Sequence, residues 1–387
     1  MTVPARRELL PYGRHEVDED DVAAVIEALR SDWLTTGPRV AVLEAAVAEA
    51  AGTRDAVVVS SGTAALHCTM AALRIGAGDE VIVPALTFAA TANAVVYQGG
   101  TPVFADVDPE TLLLDLDDAA RRITPRTRAI VGVDYAGQPC DYDALRSLAE
   151  ANGLALVADA CHSLGASDRG RAAGSLADLS VFSFHPVKHV TTGEGGAVTT
   201  DDPELASLAR RFRNHGITTD HRERAERGAW FYEMVELGFN YRISDIQCAL
   251  GLSQLRKLHG WVERRRELAA HYDDALAALE GVEPLALRPG VAHAYHLYVV
   301  RVPERDRVFT ALREQRIAAN VHYIPVHLHP FYRERFGTGP GLCPTAEAAF
   351  ERILTLPLFP GMRDEDVDDV VRALGDQFQG SAARVDQ

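Results

Sequence analysis

The sequence predicts an α/β protein: a large domain on a mostly parallel seven-stranded sheet, followed by a smaller α+β domain. Three observations lead there. Between residues 56 and 201, short apolar runs alternate with helix-like patterns. After Gly238 that alternation gives way to longer helical patterns and isolated runs. The composition, 47% hydrophobic and 24% charged over 387 residues, supplies core enough for two or three domains.

The first helix is announced by acidic residues at 18–21, with Val22, Val25, Ile26 and Leu29 following at i, i+3, i+4, i+7 spacing. It ends near Ser31, and Thr35-Thr36-Gly37-Pro38 reads as a loop. Strands are predicted at 56–59, 80–83, 102–106, 129–133, 154–158, 179–183 and 196–200, each apolar and too short for a typical helix. Helical patterns at 63–73, 90–98 and 142–152 lie between several of them. Alternation of this kind builds a parallel sheet covered on both faces. Beyond it, helices are expected at 244–258, 262–280, 305–316 and 364–378, and strands at 294–302 and 319–323. The division is placed at 250, with 1–250 as the large domain and its N-terminal segment, 251–387 as the small one, and a helix bridging the two.

A net charge of −16 argues against nonspecific binding of nucleic acid or of anionic membranes, where a basic balance is expected. The main basic cluster is Arg210, Arg211, Arg213, Arg222, Arg224 and Arg227, either a solvated face or a phosphate-handling loop. Five scattered cysteines without a Cys-x-x-Cys pair make a disulfide framework or a zinc site unexpected. Residues 1–20 lack the apolar core of a signal peptide, and no apolar run reaches membrane-spanning length. A soluble, cytoplasmic protein without a metal is the expectation.

Three segments carry chemistry. Ser60-Ser61-Gly62-Thr63 joins a strand to a helix, where N–H groups and the helix dipole suit a phosphate. Small capping residues would serve such a turn in any case. Asp159 ends a buried strand, the edge at which open α/β sheets place ligands, and a buried carboxylate needs a donor partner such as a pyridinium N–H. His162, three residues on, either donates to a ring oxygen or is a satisfied structural residue. The strongest segment is 183–196, Ser-Phe-His-Pro-Val-Lys-His-Val-Thr-Thr-Gly-Glu-Gly-Gly. It places Lys188 in a loop over the sheet end, where desolvation and a cationic neighbour lower an amine's pKa and free it for Schiff-base chemistry. The spacing from Asp159 to Lys188 leaves room for one strand and a connection, so both can meet at one edge.

Taken together, Ser61-Gly62-Thr63, Asp159 with His162, and the Lys188 loop closely resemble the nucleotide-sugar aminotransferases of the DegT/StrS type, fold type I pyridoxal-phosphate (PLP) enzymes. The resemblance runs from Pro11-Tyr12-Gly13-Arg14 through Pro84-Ala85-Leu86-Thr87-Phe88 and Gly238-Phe239-Asn240-Tyr241-Arg242 to the stretch 322–327. It implies pyridoxal 5'-phosphate as cofactor, covalently held by Lys188. Asp159 would keep the pyridine nitrogen protonated, His162 would contact the ring hydroxyl, and Phe88 would stack on the ring. Ser61, Gly62, Thr63 and Ser183 would hold the phosphate. Asn240 would reach the phosphate in a neighbouring subunit, which implies a homodimer with shared active sites. Tyr12, Thr36, Arg242 and Tyr323 are expected near the sugar.

Segments 183–196, 238–255 and 322–332 most resemble the branch of pseudaminic acid synthesis. That branch aminates a UDP-linked 4-keto-6-deoxy-N-acetylhexosamine with L-glutamate, giving UDP-4-amino-4,6-dideoxy-N-acetyl-β-L-altrosamine. Ala158 stands where an acidic residue is expected, and His189 directly follows the lysine. The alternatives are an aminotransferase for another nucleotide-linked 4-keto or 3-keto deoxysugar, a PLP-dependent sugar dehydratase, which carries His at the lysine position, and a non-catalytic PLP-binding protein.

Overall fold

The computed structural model describes residue 6, residues 8–219, residue 224 and residues 228–379. Arg222, Arg227 and the tail from Gly380 lie outside the described residues.

The large sheet contains β1 (Asp55–Val59), β2 (Glu80–Pro84), β3 (Thr101–Ala105), β4 (Thr127–Val133), β5 (Ala155–Asp159), β6 (Leu179–Ser183) and β7 (Gly196–Thr200). Its spatial order is β1-β7-β6-β5-β4-β2-β3. The pairings are parallel except those of β7, which runs antiparallel to both β1 and β6. The seven runs predicted from the sequence fall within two residues of these strands. They are legible because β-rich runs buried on both faces must be continuously apolar. All five residues of β2 and of β7 are buried.

Helices cover the sheet, among them α1 (Glu19–Arg30), α2 (Pro38–Ala51), α3 (Gly62–Ala72), α4 (Ala89–Tyr97), α5 (Tyr142–Asn152) and α6 (Pro203–Arg213). In α1 the apolar stripe faces outward: Val22 and Ile26 are each 41% exposed and Leu29 54%. The inward place goes to Asp21, which accepts from Gln254 Nε2 at 2.7 Å and pairs with Lys257 at 2.9 Å. A polar clamp to the next part of the chain fixes how this helix is turned.

The predicted helix at 244–258 is two helices: α7 (Asp245–Leu255) stops, and α8 (Leu258–Leu276) begins three residues later. A second sheet follows, from β8 (Glu283–Pro284), β9 (Tyr298–Arg301) and β10 (Ile353–Leu356). With α8, α9 (Arg305–Glu314) and α10 (Asp364–Gln379) it surrounds a second hydrophobic cluster. The strand expected at 319–323 is not one; Asn320 makes an isolated bridge to Thr355, and the chain turns into the functional cavity instead.

The basic cluster is structural where it is described. Arg210 pairs with Asp55 at 2.7 Å, Arg213 with Glu44 at 2.7 Å, and Arg211 with Glu236. The five cysteines are free. Among the described residues no helix is long and apolar enough to cross a membrane.

Candidate active site

The C-terminal ends of β1, β2, β4, β5 and β6 open onto a cavity of about 500 Å³. This is the edge where parallel sheets present helix N-termini and loop backbone to ligands. Tyr12, Ser61, Gly62, Thr63, Phe88, Asp159, His162, Ser183, Lys188 and Tyr323 all line it. These come from segments more than 300 residues apart in the chain.

At one end, Ser61 caps α3, its Oγ accepting from the Ala64 N–H at 3.0 Å. Among the described residues the Gly62 and Thr63 N–H groups have no acceptor, as the first turn of a helix requires. A Cβ at Gly62 would lie 2.8 Å from the Ser183 Cβ and 3.1 Å from its Oγ. Glycine thus lets the turn after β1 close on the end of β6 and leaves a cradle of N–H and hydroxyl groups. The cradle fits a phosphate.

Asp159 sits on the floor. Its Oδ2 accepts from Thr91 Oγ1 at 2.7 Å, and its Oδ1 from the Cys161 N–H at 3.3 Å. Thr87 bonds Thr91 in turn at 2.8 Å. Each carboxylate oxygen still has acceptor capacity for a protonated ring nitrogen. Burial and the charge of Asp159 push the Cys161 thiol up, so it stays protonated.

Lys188 occupies the loop between β6 and β7, its N–H donating to the His185 carbonyl at 2.9 Å. Burial lowers the pKa of its amine, partly offset by the charge of Asp159. An amine of lowered basicity that shares a cavity with a buried carboxylate is suited to condense with an aldehyde and to carry protons.

His162 shares its Nε2 with the Tyr323 hydroxyl at 3.0 Å. Burial, then the Lys188 charge, holds the imidazole neutral. When Tyr323 donates, the ring proton sits on Nδ1, which is buried and has no partner among the described residues. That orphaned donor matches a phenolic ring oxygen. Phe88, at the start of α4, is 59% exposed, with its ring 5.8 Å from that of Tyr323. Cradle, carboxylate, amine, orphaned imidazole and exposed aromatic together fit pyridoxal phosphate.

Asn240, Arg242 and Thr36 lie outside this cavity. Asn240 is exposed, and Arg242 donates to Asn214 Oδ1 at 2.8 Å. Their segment still borders the cradle, since the Ser60 N–H donates to the Tyr241 carbonyl at 2.8 Å. Thr36 stands beside the N-terminus of α7, where the Gly37 N–H donates to Asp245 at 2.7 Å. Sequence reasoning missed Thr91, Cys161 and His296. Thr91 and His296 lie on segments with no motif of their own, whereas Cys161 had a signal, being two residues from Asp159.

Residues 15–375 match the DegT/DnrJ/EryC1/StrS aminotransferase family. The spore coat polysaccharide biosynthesis protein SpsC of Bacillus subtilis is 40% identical over 387 residues, covering 98% of this chain and 100% of that one. The PLP form of a putative sugar aminotransferase, Spr1654 of Streptococcus pneumoniae, superposes with TM-score 0.89 at 33% identity, covering 95% of this chain and 98% of that one. PseC of Helicobacter pylori, an aminotransferase involved in the biosynthesis of pseudoaminic acid, superposes with TM-score 0.90 at 31% identity, covering 96% of this chain and 100% of that one. The chain belongs to the DegT/DnrJ/EryC1/StrS aminotransferase family: it is a PLP-dependent sugar aminotransferase of fold type I.

Proposed function

We propose that this sugar aminotransferase moves the amino group of L-glutamate to C4 of a UDP-linked 4-keto-6-deoxy-N-acetylhexosamine, giving UDP-4-amino-4,6-dideoxy-N-acetyl-β-L-altrosamine. The reaction class rests on one observation, the Lys188 amine and the buried Asp159 carboxylate lining one cavity of about 500 Å³. The likeness to PseC over 96% of the chain supports the sugar.

Pyridoxal phosphate supplies, when bound, an electron sink for the charge left by a broken C–H bond next to nitrogen. The protein's residues do the rest. Lys188 would hold the cofactor covalently and, as a free amine, would take the donor's α-proton and carry it across the nitrogen. Asp159 keeps the ring nitrogen protonated, and Thr91 keeps Asp159 oriented through its 2.7 Å bond. His162 donates to the ring oxygen, and Phe88 covers one ring face. Ser61, Gly62, Thr63 and Ser183 bind the phosphate through N–H and hydroxyl groups. Tyr12 and Tyr323, which line the cavity, face the sugar. Asn240 serves the phosphate of a neighbouring subunit, so the working unit is a homodimer, in the cytoplasm. The uridine diphosphate supplies binding energy remote from the reacting carbon.

A second reading, another nucleotide-linked keto sugar of polysaccharide synthesis, is favoured by the higher identity to SpsC, 40%. One experiment separates the two. Enzyme loaded with pyridoxamine phosphate is mixed with a panel of keto-sugar nucleotides, and the visible absorbance is followed. Recovery with the UDP-4-keto compound alone supports the first reading; recovery only with 3-keto or dTDP compounds overturns it.

A further inference from the structure

His189 and the segment 293–296 have no part in the reaction as set out above, yet they form the wall behind Lys188. His296 Nε2 lies 3.4 Å from Lys188 Nζ. His296 is 5% exposed and lines the cavity. Its ring centroid is 4.4 Å from that of His162. Its Nδ1 is buried without a hydrogen-bond partner among the described residues, so the lysine amine is the one hydrogen-bond partner this side chain shows there. Most core histidines have both nitrogens satisfied, because a buried unpaired polar atom is costly.

The backbone carrying His296 is fastened on several sides. His189 donates from Nε2 to the Ala294 carbonyl at 2.9 Å, which ties the segment to the lysine loop. Arg265, 1% exposed, donates through Nη1 to the carbonyls of Tyr295, His296 and Leu358 at 3.2, 3.4 and 2.9 Å. The Ala294 and Leu297 N–H groups donate to the Gly137 and Ala136 carbonyls at 3.0 and 3.1 Å. At Gly137, whose φ is +110°, a Cβ would lie 2.8 Å from the His162 carbonyl oxygen and 3.0 Å from the His296 nitrogen. Glycine alone permits that approach, which packs the backbone of the His296 segment against that of His162.

We propose that His296 is a positioning residue for the free Lys188 amine. Its Nε2 accepts one N–H of the amine once Lys188 is released from the cofactor, which leaves the lone pair and the remaining N–H on the cavity side. An amine held this way moves the substrate proton along one line, instead of searching the rotamers of a flexible four-carbon stem. The inference rests on the role given to Lys188 above.

The test begins without cofactor. Wild type, His296→Leu and His296→Gln are treated with a small amine-reactive ester across a pH series, and acylation of Lys188 is followed by peptide mass spectrometry. Asp159, Cys161, His162, His189 and His322 also bear on the amine, and all remain in both variants. An acceptor favours the ammonium over the amine, so the midpoint in His296→Leu falls by about half a unit or more, while His296→Gln, whose amide oxygen accepts, stays near wild type. With cofactor, the donor half-reaction slows about 30-fold in His296→Leu at a donor KM changed by less than about twofold, and His296→Gln recovers most of the rate. Equal labelling profiles in the three proteins, or a half-reaction in His296→Leu within about twofold of wild type, overturns the proposal. So does a loss of rate that tracks a loss of thermal stability and that glutamine leaves unrepaired. A wild type that holds no cofactor on Lys188 overturns the function instead, and the labelling profiles still decide about His296.

Discussion

Two regions of this molecule are incomplete in opposite ways. Around Lys188, His162, His189, His293, His296 and His322 are buried, and burial lowers the pKa of each. Nδ1 of His162 and of His296 lacks a partner among the described residues. In the stretch 230–239 the deficit is of cover: Trp230 is 84% exposed, Leu237 76% and Met234 65%. That stretch bridges back to the chain at Ile217–Met234 and Asn214–Asn240 and ends beside the phosphate cradle. Interior polar atoms without partners call for a small polar ligand, and exterior apolar side chains without cover call for protein. The contrast teaches that the cavity is built for a cofactor, and that the strip beside it is the surface on which to test the proposed second copy.

The comparison can be broken at four points. Lys188→Met should abolish transamination, with a loss of roughly 10⁴-fold or more and no visible absorption band after cofactor loading; turnover close to wild type would remove the premise of the interior half. Asp159→Asn keeps the shape but not the charge, and should cost roughly 10²- to 10³-fold in the half-reaction rate while the band survives. On the outer half, Trp230→Glu with Leu237→Glu places charge in the strip without touching the core. Association of subunits, read by analytical ultracentrifugation, should weaken about 100-fold or more. An unchanged sedimentation profile would mean that something other than a second copy covers the strip.

The remaining effect is on stability, not on catalysis or assembly. His67 is lowered to about 4, and His293 and His322 to about 3, by burial. In the unfolded chain each titrates near its ordinary value, so between there and pH 4 the unfolded state binds more protons. Stability should therefore fall as the pH falls, by about 1.4 kcal/mol per pH unit per histidine. Urea midpoints from pH 7 to pH 4 measure it, and a flat profile would show that these imidazoles are not held neutral.

Much of this was readable beforehand, for physical reasons that differ by region. The strand runs were legible because full burial forces continuous apolar sequence, and 179–183 and 196–200 match β6 and β7 to the residue. Lys188, Asp159 and the turn at Ser61-Gly62-Thr63 were legible because each stands at a strand end, and all line the cavity. The inner face of α1 was not, because Asp21 is held by Gln254 and Lys257, more than 230 residues away. Nor was the absence of a strand at 319–323, where the chain makes one isolated bridge at Asn320 and brings Asn320, His322 and Tyr323 into the cavity.

The amino-acid sequence by itself determined the seven strands, the loop bearing the amine, and the carboxylate at the end of β5, since periodicity and strand-end chemistry are local properties. The tertiary structure alone decided that Thr91 orients Asp159, that Tyr323 holds His162, and that His296 meets Lys188. Those partners are 68, 161 and 108 residues apart. A hydrogen bond needs about 3 Å and a direction, and for segments so far apart both are set only when the sheet, the helices and the second core have packed.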